Sequence, residues 1–216
     1  MAGFSLYAQQ EPFAMCQCVV DDTPQVVDFS QKTWGEILQA FDDAAAAEGR
    51  VVTVVRFDGV AQPSFRSPEL ASEKAAAVAR VEVETAVAGD VLSDTAATAR
   101  AGLAVISQNV REMADIFRGS DVAGANARLA EVAGVIGQLT LLTAALSKAA
   151  GTDLDTLHCG PVSGSEIVNS VGGRLEQLLG AQQARDWCAA ADCLEYDLAP
   201  AIDRWRLVFD AIEEAA

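Results

Sequence analysis

Residues 90–150 read DVLSDTAATARAGLAVISQNVREMADIFRGSDVAGANARLAEVAGVIGQLTLLTAALSKAA. Apolar residues in this stretch recur at alternating steps of four and three, first over residues 92–117 and again over residues 122–150. This alternation is the seam of a helix that packs along another helix. Because Arg-Gly-Ser-Asp at 118–121 interrupts the rhythm, the stretch predicts two long helices joined as an antiparallel hairpin. The predicted seam residues are Leu92, Ala96, Ala99, Leu103, Ile106, Val110, Met113 and Phe117, then Val122, Ala125, Leu129, Val132, Ile136, Leu139, Thr143, Leu146 and Ala150.

Polar residues mark the expected starts of these two helices. Asp90 is a natural N-cap for the first helix, and Ser120 or Asp121 for the second, because short polar side chains accept hydrogen bonds from free backbone N–H groups. The second helix also contains three interior glycines, Gly124, Gly134 and Gly137. Each glycine costs about 1 kcal/mol relative to alanine. We therefore expect a close approach of helix backbones to offset this cost, in a thin and tightly packed helix pair.

Two further helices are predicted after a loop at residues 151–164. Ser163 and Glu166 form a capping box at the start of the third helix, and Asp186 caps the last one. Pro200 is expected to kink the last helix because it removes a backbone donor. Residues 89–216 are therefore predicted to form an antiparallel four-helix bundle. The expected apolar faces are Ile167, Val168, Val171, Leu175, Leu178 and Leu179 in the third helix, and Trp187, Ala191, Leu194, Leu198, Ile202, Trp205, Phe209 and Ile212 in the last.

A smaller α+β module is predicted for residues 16–88. Residues 1–15 show no period and are predicted to be a flexible N-terminus. Two β-rich runs, 16–20 and 25–29, flank the turn-forming sequence Asp-Asp-Thr-Pro at 21–24. This pattern predicts a β-hairpin.

A helix and two more strands complete the predicted module. Thr33 and Glu36 have the spacing of a capping box. The continuous β-branched run at residues 51–55 is typical of a buried strand, and apolar and charged residues alternate over residues 78–85. The helix following Thr33 has an apolar face of Trp34, Ile37, Leu38, Phe41 and Ala45.

The order strand, strand, helix, strand, strand resembles the layout of β-grasp (ubiquitin-like) proteins. The long helix, short break, second long helix, loop and acidic last helix of residues 90–214 resemble the flagellin-export chaperones, small cytoplasmic bundles that hold a helical segment of a secreted subunit. Residues 16–214 resemble uncharacterised bacterial proteins that join a β-grasp-like module to a helical bundle. These resemblances imply a mainly α, α+β chain: a β-grasp-like N-terminal module followed by an antiparallel four-helix bundle with a chaperone-like role.

Composition limits the classes of partner. The net charge is −16, and 51% of the residues are hydrophobic. An acidic surface repels phosphate backbones and anionic lipids, so we expect neither nucleic acid nor membrane as a partner and favour a basic protein. We find no apolar run approaching the roughly 20 residues of a membrane helix. The first ten residues lack the features of a secretory signal, so a cytoplasmic location is expected.

One histidine and five cysteines are the candidates for reactive chemistry. His158 beside Cys159 could form a thiolate–imidazolium nucleophile, with Ser163 or Ser165 nearby; the alternative is an ordinary loop. No spacing matches a zinc site, so buried, inert, reduced thiols, no metal and no cofactor are expected. The cysteines are Cys16, Cys18, Cys159, Cys188 and Cys193.

Two clusters are candidate partner-binding surfaces. In the last helix, acidic residues could steer a basic partner while aromatic residues anchor it. The alternative is an amphipathic helix with tryptophans in the core and acids in water, where Arg204 and Arg206 pair locally with Asp203. The second candidate is a loop site at Phe57, Phe65 and Arg66. The first cluster comprises Asp192, Glu195, Tyr196, Asp197 and Asp203, near Trp187 and Trp205.

These patterns favour a non-enzymatic protein–protein interaction protein, such as an adaptor, chaperone or assembly factor. The long alanine-rich seams could accept a partner helix, or a second copy of the chain in a two-fold dimer. One alternative is a small-molecule binder or cysteine-dependent enzyme with its site near His158 and Cys159. Another is an acidic, immunity-type protein that neutralises a basic partner.

Overall fold

The structure is a computed structural model that describes residues 16–27, 29, 32–75, 78–119 and 121–216. The chain divides into two compact units, Met1–Ala88 and Gly89–Ala216. It is mainly helical, with a mixed sheet in the first unit. The predicted flexible segment, residues 1–15, lies outside the described residues.

The first unit is built around a five-stranded sheet of order β2-β1-β5-β3-β4. Strands β1 and β5 run parallel, and the other neighbouring strands pair antiparallel. The predicted α+β character of this part is therefore confirmed. Its elements are β1 (Gln17–Val20), β2 (Thr23–Gln25), α1 (Trp34–Ala47), β3 (Arg50–Phe57), β4 (Val60–Ala61), α2 (Pro68–Ser72) and β5 (Arg80–Val87).

The predicted hairpin is present, but its turn is tighter than expected. Only Asp21 and Asp22 connect the strands, with φ angles of 45° and 62°. A two-residue hairpin turn needs such positive angles, and aspartate tolerates them better than most residues. Thr23 and Pro24, which we assigned to the turn, belong to β2.

Helix α1 supplies five of the twelve buried residues in the core cluster of the first unit. The predicted capping box is present: the backbone N–H of Glu36 donates to Thr33 Oγ1 at 3.4 Å, and the Thr33 N–H donates to the Glu36 carboxylate at 2.8 Å. All five predicted residues of its apolar face are buried in one cluster with sheet residues such as Val55 and Val81. Where we predicted only a loop around Phe65, Ser67 caps the short helix α2.

The second unit is helical except for a small hairpin. Apolar positions assigned from the spacing form its core: every predicted seam residue of the first long helix is buried, as are most of those of the second and last. Leu179 is an exception on the third helix, where it is 53% exposed. The elements are α3 (Ala88–Arg118), α4 (Val122–Ala149), β6 (His158–Cys159), β7 (Val162–Ser163), α5 (Gly164–Gln183), α6 (Trp187–Asp192), a π-helical turn (Cys193–Leu198) and α7 (Ala199–Ala215).

The structure tests three local predictions: the N-caps of α3 and α4, and the loop before α5. Asp90 is not the N-cap of α3, because the helix begins at Ala88 and leaves Asp90 in its first turn. Asp121 does cap α4, accepting from the Gly124 N–H at 2.9 Å. The predicted loop at residues 151–164 contains the β6–β7 hairpin, followed by the predicted Ser163 cap of α5.

The last helix is irregular just before Pro200. Helix α6 ends at Asp192, a π-helical turn follows without a gap, and Pro200 lies in the first turn of α7. The Ala199 N–H donates to Leu194 O, five residues back. A π turn breaks the regular ladder of hydrogen bonds, and a proline in a first turn costs no helical hydrogen bond.

The expected close approach of backbones at the α4 glycines is also wrong. A Cβ placed on Gly124 would meet the capping carboxylate of Asp121, but one on Gly134 or Gly137 would meet nothing within 4 Å. The backbones of α3 and α4 rarely come within 8 Å of each other. The described residues therefore give no packing reason for Gly134 and Gly137.

Helix α4 also corrects the expectation that no apolar run approaches membrane length. By length and composition alone it could cross a membrane, and 33% of its most apolar window is buried. A single such helix is weak evidence, because core helices of proteins without membrane spans pass the same test. What needs explanation is the large apolar part of α4 that remains unburied.

Candidate functional site

Arg118, at the end of α3, pairs with two acids of the predicted docking surface. Its guanidinium lies 3.0 Å from Asp192 Oδ1 and 2.5 Å from Glu195 Oε2. These carboxylates raise the pKa of Arg118. Because Glu195 Oε2 is buried, its charge depends on this arginine for compensation.

The remaining acids of the cluster are also paired with arginines from other helices. Asp197 Oδ1 lies 3.7 Å from Arg174 on α5, and Asp203 Oδ2 lies 2.5 Å from Arg111 on α3. The acids thus connect helices within the second unit. A basic partner would have to compete with these arginines, which weakens the interpretation of the cluster as a free electrostatic surface.

The expected local pairing of Asp203 is wrong. Although partial burial opposes the shift, hydrogen bonds from Ser107 and Arg111 hold the pKa of Asp203 below its ordinary value. Within the part of the chain that the structure describes, Arg204 and Arg206 form no ion pair. Both are exposed, while Asp203 faces α3.

The aromatic members of the cluster lie in different environments. Trp205 is completely buried, and its Nε1–H donates to Thr143 Oγ1 on α4 at 3.2 Å. Trp205 is therefore a core residue and we remove it from the docking surface. Trp187 stacks on Phe117 with ring centroids 5.9 Å apart. Tyr196 alone remains available, at 66% exposure.

The loop candidates Phe57 and Phe65 lie together in the first unit and pack against the same core. Phe57 stacks on Trp34 with ring centroids 4.1 Å apart. The Arg66 guanidinium lies 4.9 Å from the Phe65 ring centroid and pairs with Asp42 at 2.5 Å. Both phenylalanines are half-buried, so each contributes part of its side chain to the core and leaves only part accessible to a partner.

The structure separates the environments of His158 and Cys159. His158 is exposed on β6, whereas Cys159 is 5% exposed. Burial, and then the charge of Asp210, raise the pKa of the Cys159 thiol, which disfavours a thiolate nucleophile. The Ser163 and Ser165 hydroxyl oxygens lie 3.0 Å apart, and Ser163 is occupied in capping α5.

Metal ligation and thiol chemistry find little support in the described part of the chain. Among its residues, no group of three or more His, Cys, Asp and Glu side chains is placed to hold a metal ion. All five cysteines are free. The prediction of buried thiols is wrong for Cys188, which is exposed, and Cys16 is half-buried.

The outward half of α4 is a surface that the sequence analysis missed. Leu141 is 74% exposed and Val135 is 42% exposed. Between Glu131 and Lys148 the helix carries no charged residue. This charge-free run, in a chain of net charge −16, was a sequence signal for a second contact surface. The buried seam explains the apolar residues on only one side of the helix.

A groove of about 410 Å³ lies between α4 and α5. Gly137 on α4 and Gly172 and Gly173 on α5 line it, and a Cβ on any of the three would meet nothing within 4 Å. At its far end Gln182 Nε2 on α5 donates to Asn126 Oδ1 on α4 at 2.6 Å. The other lining residues are Ala133, Ile136, Thr140, Val168, Asn169, Val171, Leu175 and Glu176.

The first unit contains a separate cavity of about 520 Å³. Its apolar wall includes Phe41 and Val83, and its polar rim includes Asp21, Arg50 and Thr85. The rim is internally satisfied: Asp21 accepts from the Thr85 N–H and hydroxyl at 2.8 and 2.6 Å and pairs with Arg50 at 3.2 Å. These bonds hold Asp21, Arg50 and Thr85 in contact with one another rather than with a ligand.

Comparisons with known protein families, with curated proteins and with solved structures found no match to this chain. Its function therefore has to follow from the surfaces described above.

Proposed function

We propose that this chain is a non-enzymatic protein–protein interaction protein, an adaptor, chaperone or assembly factor, whose helical unit holds an amphipathic helix of a partner in the α4–α5 groove. The observation that carries this proposal is the set of three groove glycines with open space above them. A glycine inside a helix costs about 1 kcal/mol relative to alanine. The chain does not need these three glycines for its own packing. Their presence is explained if the backbone of a partner approaches them.

The walls of the groove suit the apolar face of a helix. Ile136, Val168 and Leu175 offer apolar contacts, and the glycines allow a close backbone approach. This arrangement matches the general mode in which an amphipathic helix lays its apolar face into a groove. Glu176 lines the groove and the chain carries a net charge of −16, so a partner helix with basic flanking residues is favoured.

The architecture supports this proposal by analogy. The strand order β2-β1-β5-β3-β4, with β1 parallel to β5 and α1 between the two hairpins, supports assigning the first unit to the β-grasp class. Helices α3, α4, α5 and the α6–α7 segment support a four-helix arrangement like that of the flagellin-export chaperones. Both assignments belong to the proposal, as does a cytoplasmic location.

The test fills the groove without damaging the fold. Gly137→Leu and Gly172→Leu place a side chain into open space and improve helix propensity, so each variant is expected to fold at least as stably as the parent. Gly102→Leu is the matched control, because Gly102 is also inside a long helix with nothing within 4 Å of its Cβ but lies on α3.

The binding readout is affinity capture of the tagged full chain from its native lysate at low salt, with quantitative mass spectrometry. The expected result is a stoichiometric partner that the control retains and both groove variants lose. A partner retained equally by all three variants would show that the groove is not the site. Steeply salt-dependent capture that is unaffected by the groove variants would support the acidic, immunity-type alternative instead.

A further inference from the structure

A row of exposed residues at heptad spacing runs along α4 on the side opposite its buried seam. Leu141, which is 74% exposed, is its large apolar member, and three other members are alanine or glycine. Small side chains at this spacing would let a second helix approach closely. We name this surface the α4 outer face; it comprises Ala127, Glu131, Gly134, Gln138, Leu141, Ala145 and Lys148.

We propose that the α4 outer face pairs with the same face of a second copy of the chain. The two helices run antiparallel, and the two-fold axis crosses them at the level between residues 139 and 140. Six of the seven members, those from Glu131 to Lys148, are symmetric about this point. In an antiparallel pair each a position of the heptad faces a d position of the other helix. Gln138 therefore meets Leu141 of the other copy. The same register places Gly134 against Ala145 of the other copy.

The charges of the face favour this occupant and this direction. Glu131 and Lys148 are the only charged members of the outer face, and they lie at the two ends of its symmetric part. In the antiparallel register each Glu131 faces Lys148 of the other copy, which gives two opposite-charge contacts. A parallel pair would place like charges together, which is unfavourable. The face is thus complementary to itself.

Small residues in the intermediate layers allow the two helices to approach closely. A Cβ on Gly134 would meet nothing within 4 Å in the single chain, so the pairing gives this helix-weakening residue a role. Elsewhere a net charge of −16 opposes contact between two copies. The outer face, without charge between Glu131 and Lys148, is a place where that repulsion is least.

This inference goes beyond the proposed function because the outer face is distinct from the α4–α5 groove. The two surfaces share no member residue. A dimer could therefore carry one groove per copy.

The test is a charge swap measured by sedimentation equilibrium on the full chain. Wild type is expected to be a monomer–dimer system. Glu131→Lys and Lys148→Glu each turn two attractive contacts into repulsive ones, so each is expected to weaken the dimer about tenfold, since exposed pairs change affinity by a few-fold each. The double swap restores the complementarity and is expected to restore the dimer.

Glu214→Lys is the control for Glu131→Lys, because Glu214 is exposed near the C-terminus and both substitutions raise the net charge by two. All three substituted positions lie at the surface, and far-UV circular dichroism checks that the four variants fold. A wild-type chain that stays monomeric, or a double swap that fails to restore the dimer, overturns the proposal. Flotation of a monomer with neutral phospholipid vesicles, abolished by Leu141→Arg, would assign the face to lipid instead.

Discussion

Replacing Thr143 by valine tests whether Trp205 belongs to the core or to a docking surface. Both side chains are completely buried, and the indole Nε1–H of Trp205 donates to Thr143 Oγ1 at 3.2 Å. The Thr143 hydroxyl donates in turn to the Leu139 carbonyl at 2.7 Å. The bond joins α7 to α4 through a hydroxyl that both donates and accepts.

The expected cost follows from the partner that is lost. Valine has nearly the shape of threonine but cannot accept a hydrogen bond, so the indole N–H would be left buried without a partner. Such a group costs about 1–3 kcal/mol. The Leu139 carbonyl lies inside α4 and keeps its backbone hydrogen bond, so the second lost contact adds little.

The assay is chemical denaturation of the full chain followed by far-UV circular dichroism, which the helices dominate. Thr140→Val is the matched control: it makes the same substitution in the same helix and removes a comparable bond, from Thr140 Oγ1 to Ile136 O at 3.0 Å. Because Thr140 is exposed, water can replace its bonds and we expect a change within about 0.5 kcal/mol.

A Thr143→Val variant no less stable than the Thr140→Val control would refute this reasoning. It would mean that Trp205 finds another acceptor or that α7 is not held to α4 in this way.

Two further predictions concern titration and thiol reactivity. Hydrogen bonds from Thr85, and then the charge of Arg50, hold the pKa of Asp21 below its ordinary value of 3.8. Because the pKa is lower in the folded state, ionised Asp21 stabilises the fold above pH 3.8. This stabilisation is lost as the pH falls through the folded-state pKa. Asp21→Asn, which tolerates the same positive φ, is expected to reduce this acid sensitivity, measured as the pH at which the Thr85 amide signal disappears in ¹H–¹⁵N spectra. Iodoacetamide at neutral pH is expected to label Cys188 first and to leave Cys159 unlabelled until the chain unfolds, because Cys159 is buried and the pKa of its thiol is raised. Peptide mass spectrometry measures the labelling of each cysteine. Rapid labelling of Cys159 would favour the cysteine-dependent enzyme instead.

Local and periodic signals predicted much of the fold. The capping boxes at Thr33 and Ser163 were readable because the partner groups lie three residues apart in the chain. The buried seam of α3 was readable because helix geometry converts spacing directly into a face. In both cases the determinant is contained within one element.

Interactions between distant parts of the chain were not predictable in the same way. Asp203 pairs with Arg111, which lies 92 residues away, rather than with the adjacent Arg204. The choice depends on which helices become neighbours, and no spacing rule encodes it. The same limitation placed Trp205 on a docking surface: its apolar character was evident, but its acceptor lies on another helix.

The composition of α4 is best understood from its three sides together. Its seam is buried within the second unit, while the groove side and the outer face remain uncovered in the single chain. A helix that met water on those two sides would gain stability from alanine in place of Gly134 and Gly137, by about 1 kcal/mol each. Natural sequences tolerate such losses where function requires them. If Gly134→Ala stabilises the chain without weakening the dimer, the outer face does not need a glycine. If Gly137→Leu leaves partner capture unchanged, the groove does not need a glycine either. The two substitutions therefore separate the two proposals on one helix.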